Sequence, residues 1–317
     1  MITMSNPLVS IITPCYNGEA YLDRYFNSIL NQTYRPLELI FVNDGSTDRT
    51  AEIAEHYAPV LEEGNISFIY LHQEKAGQAA ALNRGLKLFT GEYLTWPDAD
   101  DEMTPDCIEK KVAFLQANPE LDMCICKVIQ VDEKHPDYIL GILERKCPSE
   151  QDNLVDDLIF FKNVFYVPGG YMVRGVSLDR FIPERDIYQG PGGQNGQILL
   201  PFAYHGKTGY LNEILYRYYI RSDSHSHSAN TSEKIICQNE NFERILLATL
   251  QRISLDLYDQ YCRPIRCHYA RQRYGNALDS RNPAIVRTYY RELYELGIAT
   301  IPDWLRYIKC CLFRFGK

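Results

Sequence analysis

A chain of 317 residues can bury one large core, or one core with an appended unit. Its net charge of -8 argues against nonspecific nucleic-acid binding, which needs a broad basic surface, and its 45% hydrophobic and 23% charged residues are typical of a soluble globular protein. Ten scattered cysteines without a basic-then-apolar leader predict reduced thiols in the cytoplasm, not a disulfide framework or a zinc site.

Strand-like and helix-like segments alternate through the first half of the chain, which predicts an α/β fold with a parallel sheet and helical crossovers. The predicted strands cover residues 8–14, 37–42, 66–71, 92–96 and 123–131. Four helices are predicted in the same part of the chain. The first covers residues 19–31, and the second is capped by Ser46 or Thr47 and ends near Tyr57. The third covers residues 77–89, and the fourth begins at Thr104 and Pro105.

The pattern changes in the second half of the chain. A Gly-rich loop at residues 189–195 and an aromatic run at residues 210–219 come first, and a helical period dominates from Ser232 onward. We therefore predict two domains: an α/β domain over residues 1–225 and a helical C-terminal extension over residues 226–317.

Polar turns follow four of the predicted strands, at residues 14–18, 43–46, 72–77 and 98–101. Ligands bind at the carboxyl ends of parallel strands in open α/β folds, so these turns are expected to meet. In an extended chain Asp98 and Asp100 share a face while Asp101 points away. Two convergent carboxylates favour a hard cation, Mg²⁺ or Mn²⁺, although an Asp-rich turn that caps a helix is the alternative.

Several motifs occur in a fixed order along the chain: VSIITPCYN at residues 9–17, LNQTY at 30–34, FVNDGSTD at 41–48, Gly77 with Asn83 and Gly85, and Gly91-Glu92-Tyr93 before the DADD of residues 98–101. Together they resemble glycosyltransferase family 2, over about residues 7–228. The resemblance implies the GT-A fold, a Rossmann-like mixed sheet flanked by helices, and inverting transfer from a nucleotide-diphosphate sugar, with a UDP-sugar as the expected donor. It also implies a glycan or polyprenol-linked glycan as acceptor.

The resemblance assigns roles to individual residues of the donor site. For the base and nucleotide, it implies that Pro14 and Tyr16 line the base pocket, that Asp44 accepts a hydrogen bond from the uracil imide, and that Gly77 lets the backbone pass close to the nucleotide. For the metal, it implies that Asp98 faces the ribose or the metal and that Asp100 ligates the cation. It further implies that His225 adds a metal or diphosphate contact and that Arg221 neutralises diphosphate charge. His227 is the second choice after His225. An Asx-turn or helix cap is the alternative for Asp44, a plain turn for Gly77, and a solvated loop for either histidine.

The sequence departs from the family pattern at the acceptor's general base. Members usually carry a Glu-Asp pair there, and this chain has Gln194-Asn195. Because an amide is too weak a base, we predict Asp186 as the base and Asn195 as a ligand of acceptor hydroxyls. Glu184 and His205 are the other candidates, and solvated surface roles remain open for all three titratable groups.

The missing pair leaves a second hypothesis open, in which the chain is a catalytically silent nucleotide-sugar-binding partner of another transferase. A sugar nucleotidyltransferase would need a Gly-rich, basic phosphate loop after the first strand, and residues 15–19 do not form one.

The last part of the chain is basic and aromatic, with an amphipathic tail from Trp304 onward and four clustered arginines, Arg263, Arg266, Arg271 and Arg273. Such a tail can lie on the inner face of the cytoplasmic membrane, pack back on the protein, or pair two copies in a homodimer, and all three stay open. No stretch approaches the roughly twenty apolar residues that span a bilayer, so any membrane contact is expected to be peripheral.

Overall fold

The computed structural model describes residues 6–145, 153–190, 193–221 and 231–312. The chain forms two compact units, Met1–Ile220 and Arg221–Lys317. The predicted domain boundary near residue 225 falls in residues 222–230, which lie outside the described residues.

The first unit begins with the predicted alternation of strands and helices. Its elements are β1 (Val9–Cys15), α1 (Leu22–Leu30), β2 (Leu37–Asp44), α2 (Thr50–Glu63), β3 (Ile66–Gln73), α3 (Gln78–Leu86) and β4 (Tyr93–Thr95). Strands β3, β2, β1 and β4 are adjacent in that order and parallel, so their carboxyl ends share one edge. All residues of β1 and β2 are buried, because helices cover both faces of this part of the sheet.

The rest of the unit turns the sheet into a mixed one. Its elements are β5 (Glu102–Met103), α4 (Cys107–Ala117), β6 (Met123–Asp132), β7 (Ile139–Leu143), α5 (Leu154–Phe160), a short 3₁₀ turn at Pro168–Gly170, β8 (Tyr171–Arg174), α6 (Gly175–Phe181), α7 (Gln194–His205) and β9 (Thr208–Ile220). Strand β8 lies antiparallel between β4 and β6, and β9 runs parallel to β6 and antiparallel to β5. The parallel arrangement predicted for the first half of the chain is confirmed for β1 to β4, and the mixed GT-A sheet is also confirmed.

Two predicted helix starts are displaced, in each case because other contacts use the residues. Helix α2 begins at Thr50, since Ser46 and Thr47 bond instead to the loop after β1 through Asn17. Helix α4 begins at Cys107, since the Thr104 amide N–H donates to the Leu215 carbonyl of β9 at 3.0 Å.

The second unit is helical, with α8 (Ser232–Ile253), α9 (Leu255–Asp279), α10 (Pro283–Glu295) and α11 (Ile301–Leu312). Within it the Arg273 guanidinium, whose side chain is 4% exposed, pairs with both Glu243 and Glu292 at 2.5 Å. Two carboxylates therefore compensate one buried cation. Within the described ranges, no helix combines the length and apolar character needed to cross a membrane.

Candidate active site

Three carboxylates converge where the chain turns after β4. One carboxylate oxygen from each of Asp98, Asp100 and Asp101 lies within 4.8 Å of the others. The expectation that Asp101 points away is wrong: the chain is not extended here but turns, with the Asp101 amide N–H donating to the Asp98 carbonyl at 3.4 Å. The turn delivers three acidic side chains to the carboxyl edge of the parallel strands.

Asp101 lies at the bottom of this cluster and is 1% exposed. Its Oδ1 accepts from the Tyr219 amide N–H of β9 at 3.0 Å. Burial raises the pKa of the Asp101 carboxyl well above its usual range, and the charges of Asp100 and Asp98 raise it further. A divalent cation would relieve this repulsion, so the donor set fits the predicted Mn²⁺ or Mg²⁺.

Tyr216 of β9 is buried against the same cluster. Burial raises the pKa of the Tyr216 hydroxyl well above its usual range, and the charge of Asp101 raises it further. Its ring needs Gly169, where a Cβ atom would lie 1.9 Å from a ring carbon. The carbonyl of Gly169 accepts a hydrogen bond at 2.5 Å from the ammonium of Lys111, which is fully buried on α4. A buried lysine and a glycine therefore place the tyrosine beneath the carboxylates.

Two helices hold the acidic turn from the other side. The Arg24 guanidinium of α1 donates to the Asp100 carbonyl at 2.6 Å and lies 3.6 Å from the centre of the Tyr219 ring. The Gln78 amide at the start of α3 donates to Asp98 Oδ1 at 2.9 Å. Neither Arg24 nor Gln78 stood out in the sequence, because nothing near them in the chain indicates that they contact an acidic turn 20 or more residues away.

Asp44 lies at the end of β2 and is 3% exposed. Its Oδ1 accepts from the Gln73 side-chain amide at 2.6 Å and from Ala76 N–H at 2.8 Å, and its Oδ2 accepts from Gly77 N–H at 2.8 Å. The carboxylate therefore holds the loop that precedes α3. Gly77 in this loop has φ 94°, a backbone conformation that favours glycine.

An aromatic face lies next to this loop. Tyr16, which follows β1, is half-buried, and Pro14 is buried within β1. The Lys75 ammonium lies 3.5 Å from the centre of the Tyr16 ring, a cation–π contact that no local sequence pattern indicates. The structure thus brings a ring, an ammonium group and a buried carboxylate to the ends of β1, β2 and β3.

The candidates for the acceptor's base lie on or beside α7. Asp186 is half-buried on the segment before it, next to Ile187, whose backbone N–H and carbonyl bond to the side chain of the buried Asn83 at 2.8 and 2.9 Å. Glu184 is exposed. His205 ends α7 and stacks on Phe181, about 15 Å along the helix axis from Asn195. His205 is therefore not brought to the start of α7.

Comparison with known proteins settles the family. The family model described as Glycosyl transferase family 2 matches residues 10–180, more than half of the chain. The chain belongs to glycosyl transferase family 2. The family that the motifs indicated is therefore confirmed.

Curated relatives of this family 2 chain match it over part of their length. Glycosyltransferase GlyA of Streptococcus pneumoniae serotype 4 is 30% identical over 226 residues, which are 68% of this chain and 31% of GlyA. An uncharacterized glycosyltransferase of Rickettsia typhi, RT0329, is 38% identical over 149 residues, which are 46% of this chain and 45% of the relative. The chain therefore spans less than half the length of these relatives.

Solved structures share the fold of this family 2 chain. Residues 1–349 of TarS from S. aureus, in complex with UDP-GlcNAc, superpose with a TM-score of 0.58 at 18% identity, covering 91% of this chain and 92% of that one. The mannosyltransferase PcManGT from Pyrobaculum calidifontis, in complex with GDP-Man and Mn²⁺, superposes with a TM-score of 0.56 at 16% identity, covering 98% and 82%. These similarities confirm the GT-A fold.

Four predicted residues of this family 2 chain remain, and two of them, Arg221 and Asn195, lie within the described residues. Arg221 directly follows β9. His225 and His227 lie outside the described residues. Asn195, predicted to bind acceptor hydroxyls, is 8% exposed, and both polar atoms of its amide bond within the protein, to Trp96 and to the Tyr166 carbonyl.

Hydrogen bonds to the Asp48 carboxylate join the loop after β1 to the segment between β2 and α2. Asp48 accepts from Glu19 N–H at 3.0 Å, and from the Thr50 amide and hydroxyl at 3.0 and 2.6 Å. Burial alone would raise the pKa of Asp48, but the hydrogen bonds from Thr50 and from Glu19 N–H outweigh it and lower that pKa below its ordinary value.

We expect Asp48→Asn to lower the free energy of unfolding at pH 7 by about 1–2 kcal/mol, because an amide cannot accept all of these bonds. The folded-state pKa is lowered, so the contribution of Asp48 is present above the unfolded-state pKa and is lost as the pH falls through the folded-state pKa. Urea unfolding between pH 3 and 7 measures this. The difference in the free energy of unfolding between Asp48→Asn and the wild type should close below about pH 4. The control is Glu55→Gln, an exposed change on α2, whose free energy of unfolding should equal that of the wild type at every pH.

Proposed function

We propose that the chain is a metal-dependent glycosyltransferase that moves a sugar from a nucleotide-diphosphate donor, a UDP-sugar, to a glycan or lipid-linked saccharide with inversion. The observation that carries the proposal is the cluster of Asp98, Asp100 and Asp101, whose carboxylate oxygens lie within 4.8 Å of one another at the carboxyl edge of the parallel strands. Structural relatives that share the GT-A fold have been solved with UDP-GlcNAc, and with GDP-Man and Mn²⁺.

The described residues support a division of tasks across this edge. Asp98 and Asp100 would hold Mn²⁺ or Mg²⁺, which neutralises the charge that the departing diphosphate gains. Tyr16 offers a ring for stacking of the base, and the loop held by Asp44 forms the neighbouring wall. Arg24 and Gln78 keep the acidic turn in one geometry, which removes the cost of ordering it when the donor binds.

The acceptor side needs a group that takes the proton of the attacking hydroxyl. We keep Asp186 for this role, because it is half-buried and lies on a segment that Asn83 fixes through two hydrogen bonds to Ile187. Attack from the face opposite the diphosphate by direct displacement inverts the anomeric carbon. Arg221 and His225 stay predictions from the family resemblance.

A screen of nucleotide sugars by thermal shift, with Mn²⁺ and with EDTA, tests the donor half of the proposal, because a ligand that binds the folded state raises the unfolding temperature. We expect selective, Mn²⁺-dependent stabilisation by UDP-sugars, followed by release of UDP when a glycan acceptor is present. Stabilisation by none of the nucleotide sugars would overturn the proposal. Asp186→Asn should lower turnover and leave this stabilisation unchanged. Glu184→Gln is the matched control and should change neither.

The alternative, a catalytically silent nucleotide-sugar-binding partner, is favoured by Gln194-Asn195 in place of the Glu-Asp pair. The same experiment separates the two functions. Stabilisation by a UDP-sugar with neither transfer nor hydrolysis, across a panel of glycan and lipid-linked acceptors, would favour the silent partner.

We also propose that α11 contacts an anionic membrane surface. Its outer face exposes Ile301, Trp304 and Leu305 by 75%, 48% and 54%, and Arg306 and Lys309 are exposed beside them. Residues 221–317 carry 15 Lys and Arg against 10 Asp and Glu, in a chain of net charge -8. An apolar helix face with cations beside it suits anionic lipid.

Vesicle flotation tests this contact. We expect the protein to float with phosphatidylglycerol vesicles and not with phosphatidylcholine vesicles, and Leu305→Glu to abolish flotation. Equal recovery at the bottom of the gradient with both lipids, together with a dimer by analytical ultracentrifugation that Leu305→Glu dissociates, would instead assign the face to a second copy.

A further inference from the structure

Asn195 is the second residue of α7 and joins the buried Trp96 to the half-buried Tyr166 through groups of opposite polarity. Its Oδ1 accepts from the Trp96 indole N–H at 3.1 Å, and its Nδ2 donates to the Tyr166 carbonyl at 2.9 Å. An indole can only donate and a carbonyl can only accept, so these two partners define which way the amide faces.

Trp96 transmits this arrangement to the acidic turn. It directly follows β4, is 2% exposed, and stacks on Tyr171 with an interplanar angle of 14°. Pro97 follows it and restricts the backbone of Trp96 to extended conformations. Asp98 is therefore only two residues from an indole that Asn195 holds by its N–H, with a rigid residue between them.

A carboxylate at position 195 would fit these surroundings badly. When the carboxyl is ionised, one oxygen would still accept from the indole, but the other would lie about 2.9 Å from the Tyr166 carbonyl, where two acceptors meet without a proton. When it is protonated it could donate to that carbonyl, but it could then not take the proton of an acceptor hydroxyl. Leaving such a buried group unsatisfied costs about 1–3 kcal/mol, more for a charge. The helix N-terminus favours an anion by only about 0.3–1 kcal/mol, so the unfavourable contact dominates.

We propose that Asn195 is a positioning residue that holds Trp96, and through it the Asp98–Asp101 turn, in the geometry that binds the cation, and that position 195 cannot serve as the general base in this chain. The inference rests on the proposed function for what the turn binds. It accounts for the amide in place of the family's Asp: restoring the carboxylate disturbs the metal turn instead of supplying a base.

Trp96 itself is the probe for the first experiment, because the chain has only one other tryptophan, Trp304. In a Trp304→Phe background without ligand, we expect Asn195→Asp to shift the Trp96 emission to the red and to increase its quenching by acrylamide. Asn153→Asp is the matched control, since Asn153 caps α5, where its side-chain oxygen accepts from Asp156 N–H and a carboxylate can accept in the same way. It should leave the emission of Trp96 unchanged.

A titration with Mn²⁺ tests the consequence for the turn. Bound Mn²⁺ is paramagnetic and quenches a nearby indole, and loss of a residue that orients metal ligands typically weakens affinity by about 10–100-fold. We expect Asn195→Asp to weaken Mn²⁺ binding by about tenfold or more and Asn153→Asp to leave it unchanged. Trp96→Phe replaces the indole by a phenyl ring that has no N–H. Because this variant has lost the fluorescent probe, electron paramagnetic resonance of free Mn²⁺ measures its affinity for Mn²⁺.

The double variant distinguishes positioning from a general loss of folding. If Asn195 acts through Trp96, Asn195→Asp should weaken Mn²⁺ binding much less in the Trp96→Phe background than in the parent. Unchanged Trp96 emission and unchanged Mn²⁺ affinity in Asn195→Asp would overturn the inference, as would faster turnover with a new acidic limb in its pH profile. If the parent itself binds no Mn²⁺, the proposed function fails, and the ligand-free emission still decides whether Asn195 holds Trp96.

Discussion

Replacing Asp100 by Asn should abolish the Mn²⁺-dependent stabilisation by a UDP-sugar and lower turnover by about 10²-fold or more. Asp100 is half-buried, and one of its oxygens lies within 4.8 Å of an oxygen of Asp98 and one of Asp101. A neutral amide keeps the shape of the side chain but removes a full charge from the proposed cation ligands. The cation's stabilisation of the leaving diphosphate is worth several kcal/mol, and each 1.36 kcal/mol lost is about tenfold in rate.

The measurement is a thermal shift with UDP-sugar, with and without Mn²⁺, beside turnover under the same conditions. Asp137→Asn is the control, because Asp137 is exposed and the same charge is removed there. Asp100→Asn should unfold at the same temperature as the wild type or higher when no ligand is present, since one repulsive charge has gone. Donor stabilisation equal to that of the wild type would remove Asp100 from the metal site.

Replacing Asp44 by Ala should lower the free energy of unfolding by about 2–4 kcal/mol and weaken donor binding by about 10²-fold. The Asp44 carboxylate, 3% exposed, accepts three hydrogen bonds from the loop before α3, two of them from the backbone N–H groups of Ala76 and Gly77. A hydrogen bond to a charged group contributes about 1.5–3 kcal/mol, and buried donors left without an acceptor add to the loss. The loop would then no longer form a fixed wall of the proposed base site.

Urea unfolding and isothermal titration with UDP and Mn²⁺ measure the two effects. Gln73→Ala is the control, because it removes only one of the three bonds and no backbone donor loses its acceptor. It should cost about 1 kcal/mol and change UDP affinity little. If Asp44→Ala lost stability but bound UDP normally, Asp44 would be a structural residue alone, and its predicted contact with the uracil imide would be wrong.

The order of elements in the first half of the chain was predictable because each element has a recognisable pattern of apolar and turn residues within its own segment. Strands β1 and β2 are runs of apolar residues bounded by turn residues, and α1 repeats apolar residues at helical spacing, so its inner face is buried. Parallel strands joined by helices then bring the four polar turns to one edge. Asp98 and Asp100, which lie in the turn after a predicted strand, stood out for the same reason.

The parts that were missed depend on contacts between distant residues. Strand β8 is four residues long, and it helps to make the sheet mixed by running antiparallel to both of its neighbours, β4 and β6. The two-residue strand β5 exists only because β9 pairs with it. Isolated short segments cannot form a ladder, so their own residues carry little information about it.

Local pattern was therefore enough to predict the alternating strands and helices and the acidic edge, since hydrophobic period and turn residues act over a few positions of the chain. The ordered motifs indicated the family and its GT-A fold by resemblance. The chemistry around that edge depends on the assembled fold: the amide of Asn195 meets Trp96 across 99 positions, and Tyr219 N–H meets Asp101 across 118. A hydrogen bond is made only when donor and acceptor come within about 3 Å. For groups so far apart along the chain, the packing of the surrounding sheet and helices brings them that close.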